Sequence, residues 1–261
     1  MRRNYFTGQD VAERYARSRP YFHPLVVRKI ARLLHLDEPV HAALDVACGT
    51  GRSCAALTEI ASRVIGTDPS AEMLNQASRN GHIEYVEAPA EDLPFDAGAF
   101  DLVTVASAFH WFDRARFLSE ARRVLHAAGW LVVYDNFFFG RMKENVEFEH
   151  WYRDRYLIRY PSPPRDRRPF TDEEVENHGF RFVEREEYAN DILFSVEELA
   201  CYLETQSNVI AAIEGGKDSL EEVHEWLVGS LTGFFRGSRA TLEFGGHIWC
   251  LETSPIEVDQ V

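Results

Sequence analysis

Residues Leu44-Asp45-Val46-Ala47-Cys48-Gly49-Thr50-Gly51 constrain the fold of this chain more than any other stretch. Strand-forming residues run into a turn with two glycines, and a helix-forming run, Arg52 to Ala61, follows at once. Strand, tight glycine turn and helix are the opening of a βαβ unit. Gly49 and Gly51 admit positive φ and let a ligand approach the backbone without a Cβ in the way. A helix starting there turns free N–H groups and the positive end of its dipole towards the same gap. The expected occupant is a nucleotide-like ligand that carries a negative group.

What is missing narrows the ligand. The dinucleotide fingerprint G-x-G-x-x-G needs Gly or Ala at position 54, where Cys54 stands. Asp45, inside the strand, would repel a pyrophosphate but accept a hydrogen bond from an ammonium. S-adenosylmethionine has an ammonium, a carboxylate and a sulfonium, and no phosphate. A second strand-like run, Arg63 to Thr67, ends in Asp68, placed to accept from both ribose hydroxyls. These features disfavour a nucleotide-dependent dehydrogenase. A protein that binds the cofactor without catalysing transfer is excluded by no residue.

Five further stretches follow in order. They are Gly66-Thr67-Asp68-Pro69-Ser70-Ala71-Glu72-Met73-Leu74, Ala90-Glu91-Asp92-Leu93-Pro94-Phe95, Phe100-Asp101-Leu102-Val103, Phe109-His110-Trp111-Phe112-Asp113, and Arg123-Val124-Leu125 with Gly129-Trp130. With the glycine turn, they resemble the class I S-adenosylmethionine-dependent methyltransferases of the type 11 small-molecule group, over about residues 40 to 135. The resemblance implies an α/β fold: a doubly wound, seven-stranded Rossmann-like sheet whose last strand is antiparallel, with an inserted segment covering the substrate. It implies S-adenosylmethionine as donor and S-adenosylhomocysteine as product. It also implies cofactor contacts from Tyr15, Arg19, Asp45, Ala47, Gly49, Gly51, Asp68, Met73, Ala90, Glu91 and Ala106. Ala47 departs from the family, which usually has glycine there; with a negative φ an alanine would cost little.

The totals exclude other classes. A net charge of −14 opposes the phosphate attraction on which nucleic-acid binding depends. Cysteines 48, 54, 201 and 250 form no C-x-x-C pair or His cluster with zinc spacing, so no metal is expected. They read as reduced thiols of a cytoplasmic protein. The N-terminus has no apolar core of a leader, and no 18-residue apolar run suits a membrane. The expected partner is a small-molecule methyl acceptor, for a monomer or homodimer.

Along the chain, residues 1–38 are expected to form a helical cover, with Tyr15 and Arg19 matching a Y-x-x-x-R-P stretch of relatives. Residues 39–136 are the cofactor-binding core, 137–180 an insertion or lid, and 181–261 the completion of the sheet. Ser70, Asp113 and Ser195 read as helix caps. Ala127-Ala128-Gly129 reads as the end of a helix before a strand from Trp130 to Tyr134. The basic run Arg165-Asp166-Arg167-Arg168 is either an anion site for the acceptor or a solvated loop. In-line methyl transfer needs alignment and a dry site, and a base only when the acceptor carries a proton to lose. O- or carboxyl-methylation is favoured, with N possible. His110 is the candidate base, since an unperturbed His titrates near pH ~6.5; a structural histidine bonded to backbone is the other reading.

Overall fold

Alternating burial along the strands sets the layers. Leu44 and Val46 turn to one face of the sheet and Ala43 to the other, because successive side chains of a strand point to opposite sides. The computed structural model describes residues 5–77, 83–166 and 168–254. Its elements, in order, are α1 (Gln9–Ser18), α2 (His23–Leu33), β1 (Val40–Val46), α3 (Arg52–Leu57), β2 (Ala61–Asp68), α4 (Ala71–Asn75), β3 (Ile83–Glu87), β4 (Phe100–Ala106), α5 (Arg114–Val124) and β5 (Leu125–Tyr134). Then come β6 (Phe137–Met142), α6 (Glu147–Trp151), a π-helical turn, α7 (Leu157–Arg159), α8 (Asp172–Glu176), β7 (Phe180–Phe194), α9 (Val196–Glu204), α10 (Ser207–Glu214), α11 (Leu220–Leu231) and β8 (Ala240–Thr253).

The chain packs as two units. The larger holds Tyr21–Asp135, Arg165–Tyr188 and Gly246–Val261. Its sheet runs β3-β2-β1-β4-β5-β8, parallel throughout except for antiparallel β8, and β7 also pairs with β8. The order reverses between β1 and β4, which makes their carboxyl ends the place where open α/β sheets bind ligands. Two apolar layers cover the sheet. Phe100, Phe109, Phe117 and Leu118 lie in one; Val26, Ile30, Leu57 and Tyr134 lie in the other. This is the doubly wound α/β sheet with an antiparallel last strand that the sequence implied.

The smaller unit holds Met1–Pro20, Asn136–Pro164 and Ala189–Gly245, around a separate core that includes Phe148, Tyr156, Leu203, Leu227 and Phe244. Here β6 pairs with the first half of β8, and α1, α10 and α11 pack on α9. The grouping differs from the boundaries expected from sequence order. The segment expected as one insertion, 137–180, divides at Pro164, and 189–245 joins the smaller unit instead of the sheet's apolar layers. No described helix is long and apolar enough to cross a membrane.

Local expectations fare unevenly. Ser70, Asp113 and Ser195 do cap α4, α5 and α9, and Ser195 and Ser219 each complete a capping box. Helix α3 stops at Leu57, short of Ala61, because Glu59 and Ile60 donate to carbonyls three residues back and the chain turns into β2. The helix expected from Ala71 to Arg79 ends at Asn75, and its expected stop at Asn80-Gly81 lies outside the described residues. Ala127-Ala128-Gly129 does not end a helix. α5 ends at Val124 and β5 begins at Leu125, because Phe100 pairs with Leu125 and Leu102 with Trp130, and the surplus residues bulge.

Candidate active site

Asp45 anchors the site from below. It is fully buried, and its Oδ1 accepts the Thr104 hydroxyl at 2.7 Å. Its Oδ2 accepts the Ser53 hydroxyl and the Cys54 thiol, the latter at 3.3 Å. Burial raises its pKa, and the bonds from Ser53, Thr104 and Cys54 oppose that rise. The carboxylate therefore ties β1 to α3 and β4. The expectation that it meets an ammonium directly gives way to this: its oxygens are turned inward, to donors on α3 and β4.

The glycine turn above it is held at both ends. The Cys48 amide donates to Thr67 O at 2.8 Å, and the Gly51 amide closes the turn on Cys48 O at 3.0 Å. Gly49 has a φ of 56° and nothing stands within 4 Å of where a Cβ would be, so its outer side is open. At Gly51, φ is 72° and a Cβ would sit 2.8 Å from Tyr85 Cζ. Ala47 corrects an expectation, since its φ is positive at 56°. An alanine there carries the strain that the family's usual glycine avoids. Ser107, at the end of the adjacent β4, has a φ of 54° and donates its amide to Tyr134 O at 2.8 Å.

Asp68 closes β2 beside the turn. Its Oδ2 accepts the Gly49 amide at 2.9 Å and its Oδ1 the Ser70 amide at 2.9 Å. Burial pushes its pKa up to about 6, against the lowering effect of those amides. Each oxygen keeps a second lone pair, so the carboxylate can still accept from a diol. Met73, Ala90 and Leu93 are buried in the larger unit. Glu91 spends one oxygen on the Asp113 amide, at 2.8 Å, at the start of α5. Tyr15 and Arg19 belong to the smaller unit, where Arg19 lies over the Tyr15 and Tyr202 rings and donates to Thr205 O at 2.7 Å.

Past β4, Phe109–Trp111 form a 3-10 turn at the same carboxyl edge. His110 is half-buried, with its ring 4.9 Å from that of Trp111 and its carbonyl accepting the Asp166 amide at 3.2 Å. Arg165 lies over Trp111 at 5.1 Å. Among the described residues of the basic run, Arg168 is already engaged by an acid. Asp166, buried, pairs with Arg168 at 2.6 Å and with buried Arg114 at 3.5 Å, and its pKa is held well below the usual carboxylate range, by Arg168 first. Arg167 lies outside the described residues.

Sequence reasoning passed over one residue altogether. Asp135 follows β5 and is 6% exposed, and its Oδ1 is buried with no hydrogen-bond partner. Its backbone is pinned: the amide donates to His247 O at 3.1 Å, and its carbonyl accepts the Tyr188 hydroxyl at 2.7 Å. Burial pushes its pKa up to about 7, opposed by the Arg165 charge. Ala106 pairs with Tyr134, so Ser107 and Asp135 end adjacent strands at one edge. A lone acid just past a strand reads as an ordinary loop residue, and only tertiary burial marks it.

Residues 44–133 match the methyltransferase domain family. The chain is 30% identical over 202 residues to a protein of Dictyostelium discoideum provisionally named a methyltransferase, across 74% of this chain and 75% of that one. A ubiquinone/menaquinone biosynthesis C-methyltransferase of Rhizobium johnstonii is 38% identical over 115 residues, 40% of this chain and 45% of the relative. Among solved structures, a provisional type II methyltransferase of Anaeromyxobacter dehalogenans aligns with a TM-score of 0.66 at 23% identity, covering 89% of this chain and 96% of that one.

Proposed function

We propose that this chain, which belongs to the class I S-adenosylmethionine-dependent methyltransferases, transfers a methyl group from S-adenosylmethionine to an oxygen of a small molecule, a hydroxyl in preference to a carboxylate. The observation that carries the acceptor is Asp135, a buried carboxyl with an unpartnered oxygen at the carboxyl edge of the sheet. A carboxylate acceptor would meet a second negative charge there, whereas a hydroxyl gives Asp135 a proton to take.

The residues present fit the donor. Asp68 offers two oxygens for the ribose hydroxyls, and the open outer side of Gly49 admits the amino-acid end against backbone. Met73 and Ala90 supply apolar surface for the adenine. Asp45 acts as a positioning residue, since it fixes the turn to α3 and β4 without reaching the gap. When bound, S-adenosylmethionine supplies a methyl group made electrophilic by its sulfonium. The chain's own part is to align the acceptor oxygen, exclude water and hold the released proton. At a pKa of about 7, Asp135 is suited to accept that proton at neutral pH. His110 and Trp111 stand at the same edge as further wall, with Arg165 over Trp111.

Calorimetry tests the donor first. S-adenosylhomocysteine is expected to bind, and NAD to give no comparable heat. Asp68→Ala is expected to weaken binding by several kcal/mol, at roughly 1.5–3 per charge-assisted bond. An unchanged dissociation constant would remove Asp68 from the cofactor site. Transfer of labelled methyl from S-adenosylmethionine to paired hydroxyl and carboxylate panels then separates the acceptor classes. Label found only on carboxylates or amines would overturn the oxygen-base reading.

A further inference from the structure

A second chemical cluster lies in the smaller unit. Helix α9 carries Glu197 and, one turn on, Cys201, which share a face at a spacing of four. Helix α11 packs on it and contributes His224. His224 Nε2 stands 3.2 Å from Glu197 Oε1, and Cys201 Sγ stands 3.9 Å from that same oxygen. The ligand-capable atoms of all three residues lie within 4.8 Å of one another. The other ring nitrogen, Nδ1, bonds Glu204 Oε1 at 2.6 Å, and Glu204 is buried while Glu197 is open to solvent.

We infer that Glu197, Cys201 and His224 bind a zinc-class divalent cation, with Glu204 as the positioning residue that aims His224 at it. Two of the three ligand gaps suit the metal, and the third, between Cys201 and His224, lies within 4.8 Å. Zinc bonds of about 2.0–2.3 Å at tetrahedral angles separate ligand atoms by roughly 3.4–3.6 Å, so the two measured gaps need shifts of only a few tenths of an ångström. A thiolate, an imidazole and a carboxylate together favour zinc over the oxygen-seeking calcium and magnesium. A carboxylate on the far nitrogen of a ligating histidine fixes its tautomer and orientation, as the Glu204 contact does here.

Without a cation, His224 lies between two carboxylates and donates to both when each nitrogen carries a proton, while Cys201 turns its thiol to Glu197. On binding, the Nε2 proton and the thiol proton leave to solvent, and three lone pairs meet the metal in their place. Arg17 of α1 faces Cys201 and opposes the cation; Glu204 and Glu225 favour it. Three protein ligands leave the fourth position to water, at a half-exposed spot that ions can reach. The result is a clamp between α9 and α11. It stands against the expectation of no metal, which rested on spacing along the sequence and could not register ligands drawn from two helices.

Titration of the tag-free, metal-stripped full chain with cobalt(II) tests this. The expected result is one equivalent bound, with a thiolate-to-cobalt charge-transfer band and visible absorption of tetrahedral type, both abolished by zinc. Cys201→Ser should lose the charge-transfer band. Glu204→Gln should keep it while weakening affinity about 10- to 100-fold. Alkylation of Cys201 in the unaltered chain, mapped by mass spectrometry, should slow when zinc is present, which keeps the test open if a variant misfolds. Absence of one-to-one binding, a band that survives Cys201→Ser, or equal alkylation with and without zinc would each overturn the site.

Discussion

Alanine at position 47 holds a left-handed conformation that glycine adopts freely, at the mouth of the cofactor turn. A Cβ in that region costs about 1–2 kcal/mol, part of which glycine gives back through the greater freedom of the unfolded chain. Ala47→Gly is therefore expected to raise stability by up to about 1 kcal/mol, read as a higher urea midpoint at unchanged slope; a lower midpoint would show that the strain is absent. Asp135 carries a second prediction, in pH. Its folded pKa of about 7 lies above the unfolded value near ~3.9, so between these values the folded state keeps a proton that the unfolded chain has lost. Stability from this group is thus present at low pH and falls as pH rises towards 7, by roughly 4 kcal/mol at about 1.4 per unit. Asp135→Asn should match the unaltered chain near pH 4 and become the more stable of the two by pH 8, while methyl transfer drops about 10²–10⁴-fold if Asp135 is the base. Melting temperatures that run parallel across that range would contradict the buried carboxylate.

At the scale of elements, helix α5 and the segment from Asp166 to Glu174 are joined by one arginine. Arg114 is 5% exposed; it donates to Arg168 O at 2.9 Å and Pro169 O at 3.2 Å, and pairs with Asp166 and Glu174. Its guanidinium also lies over Phe109 at 4.9 Å. Removing it leaves a buried Asp166 short of a partner, so Arg114→Met is expected to destabilise by about 3 kcal/mol or more. Arg168→Ala, at a side chain 70% exposed, should cost about 1 kcal/mol or less. Equal effects in denaturant would show that burial does not govern this network. In sequence, Arg114 is one charge among several on a helix, and nothing local tells it from exposed Arg116. The same limit explains what else was missed. Periodicity and caps located β1, β4, α5 and α9 because those signals are local. The bulge that takes residues 127–129 into β5 depends on pairing with β4, and the burial of Asp135 depends on Tyr188 and His247, more than 50 residues away.

At the scale of the whole molecule, the chain passes from one unit to the other at Pro164, beside a trypsin site at Arg165; a second site, at exposed Arg239, lies in the loop before β8. The sequence marked the stretch around Pro164 by its prolines and arginines, yet sequence order alone could not show that three separated segments build the smaller core. The two arginines have different neighbours. Arg239 is held by Glu198 and by the Leu193 carbonyl, contacts that owe nothing to a ligand. Arg165 lies over Trp111 and exerts its charge on Asp135, both at the carboxyl edge where the donor and acceptor are proposed to sit. Proteolysis requires local opening, and a ligand that packs against the neighbours of one bond raises the free energy of opening there. S-adenosylhomocysteine is therefore expected to slow cleavage after Arg165 several-fold and to leave cleavage after Arg239 nearly unchanged. Light scattering during the digestion must show a constant oligomeric state, because a ligand-driven dimer would cover exposed bonds by itself. Equal rates after Arg165 with and without ligand would detach this segment from the acceptor site.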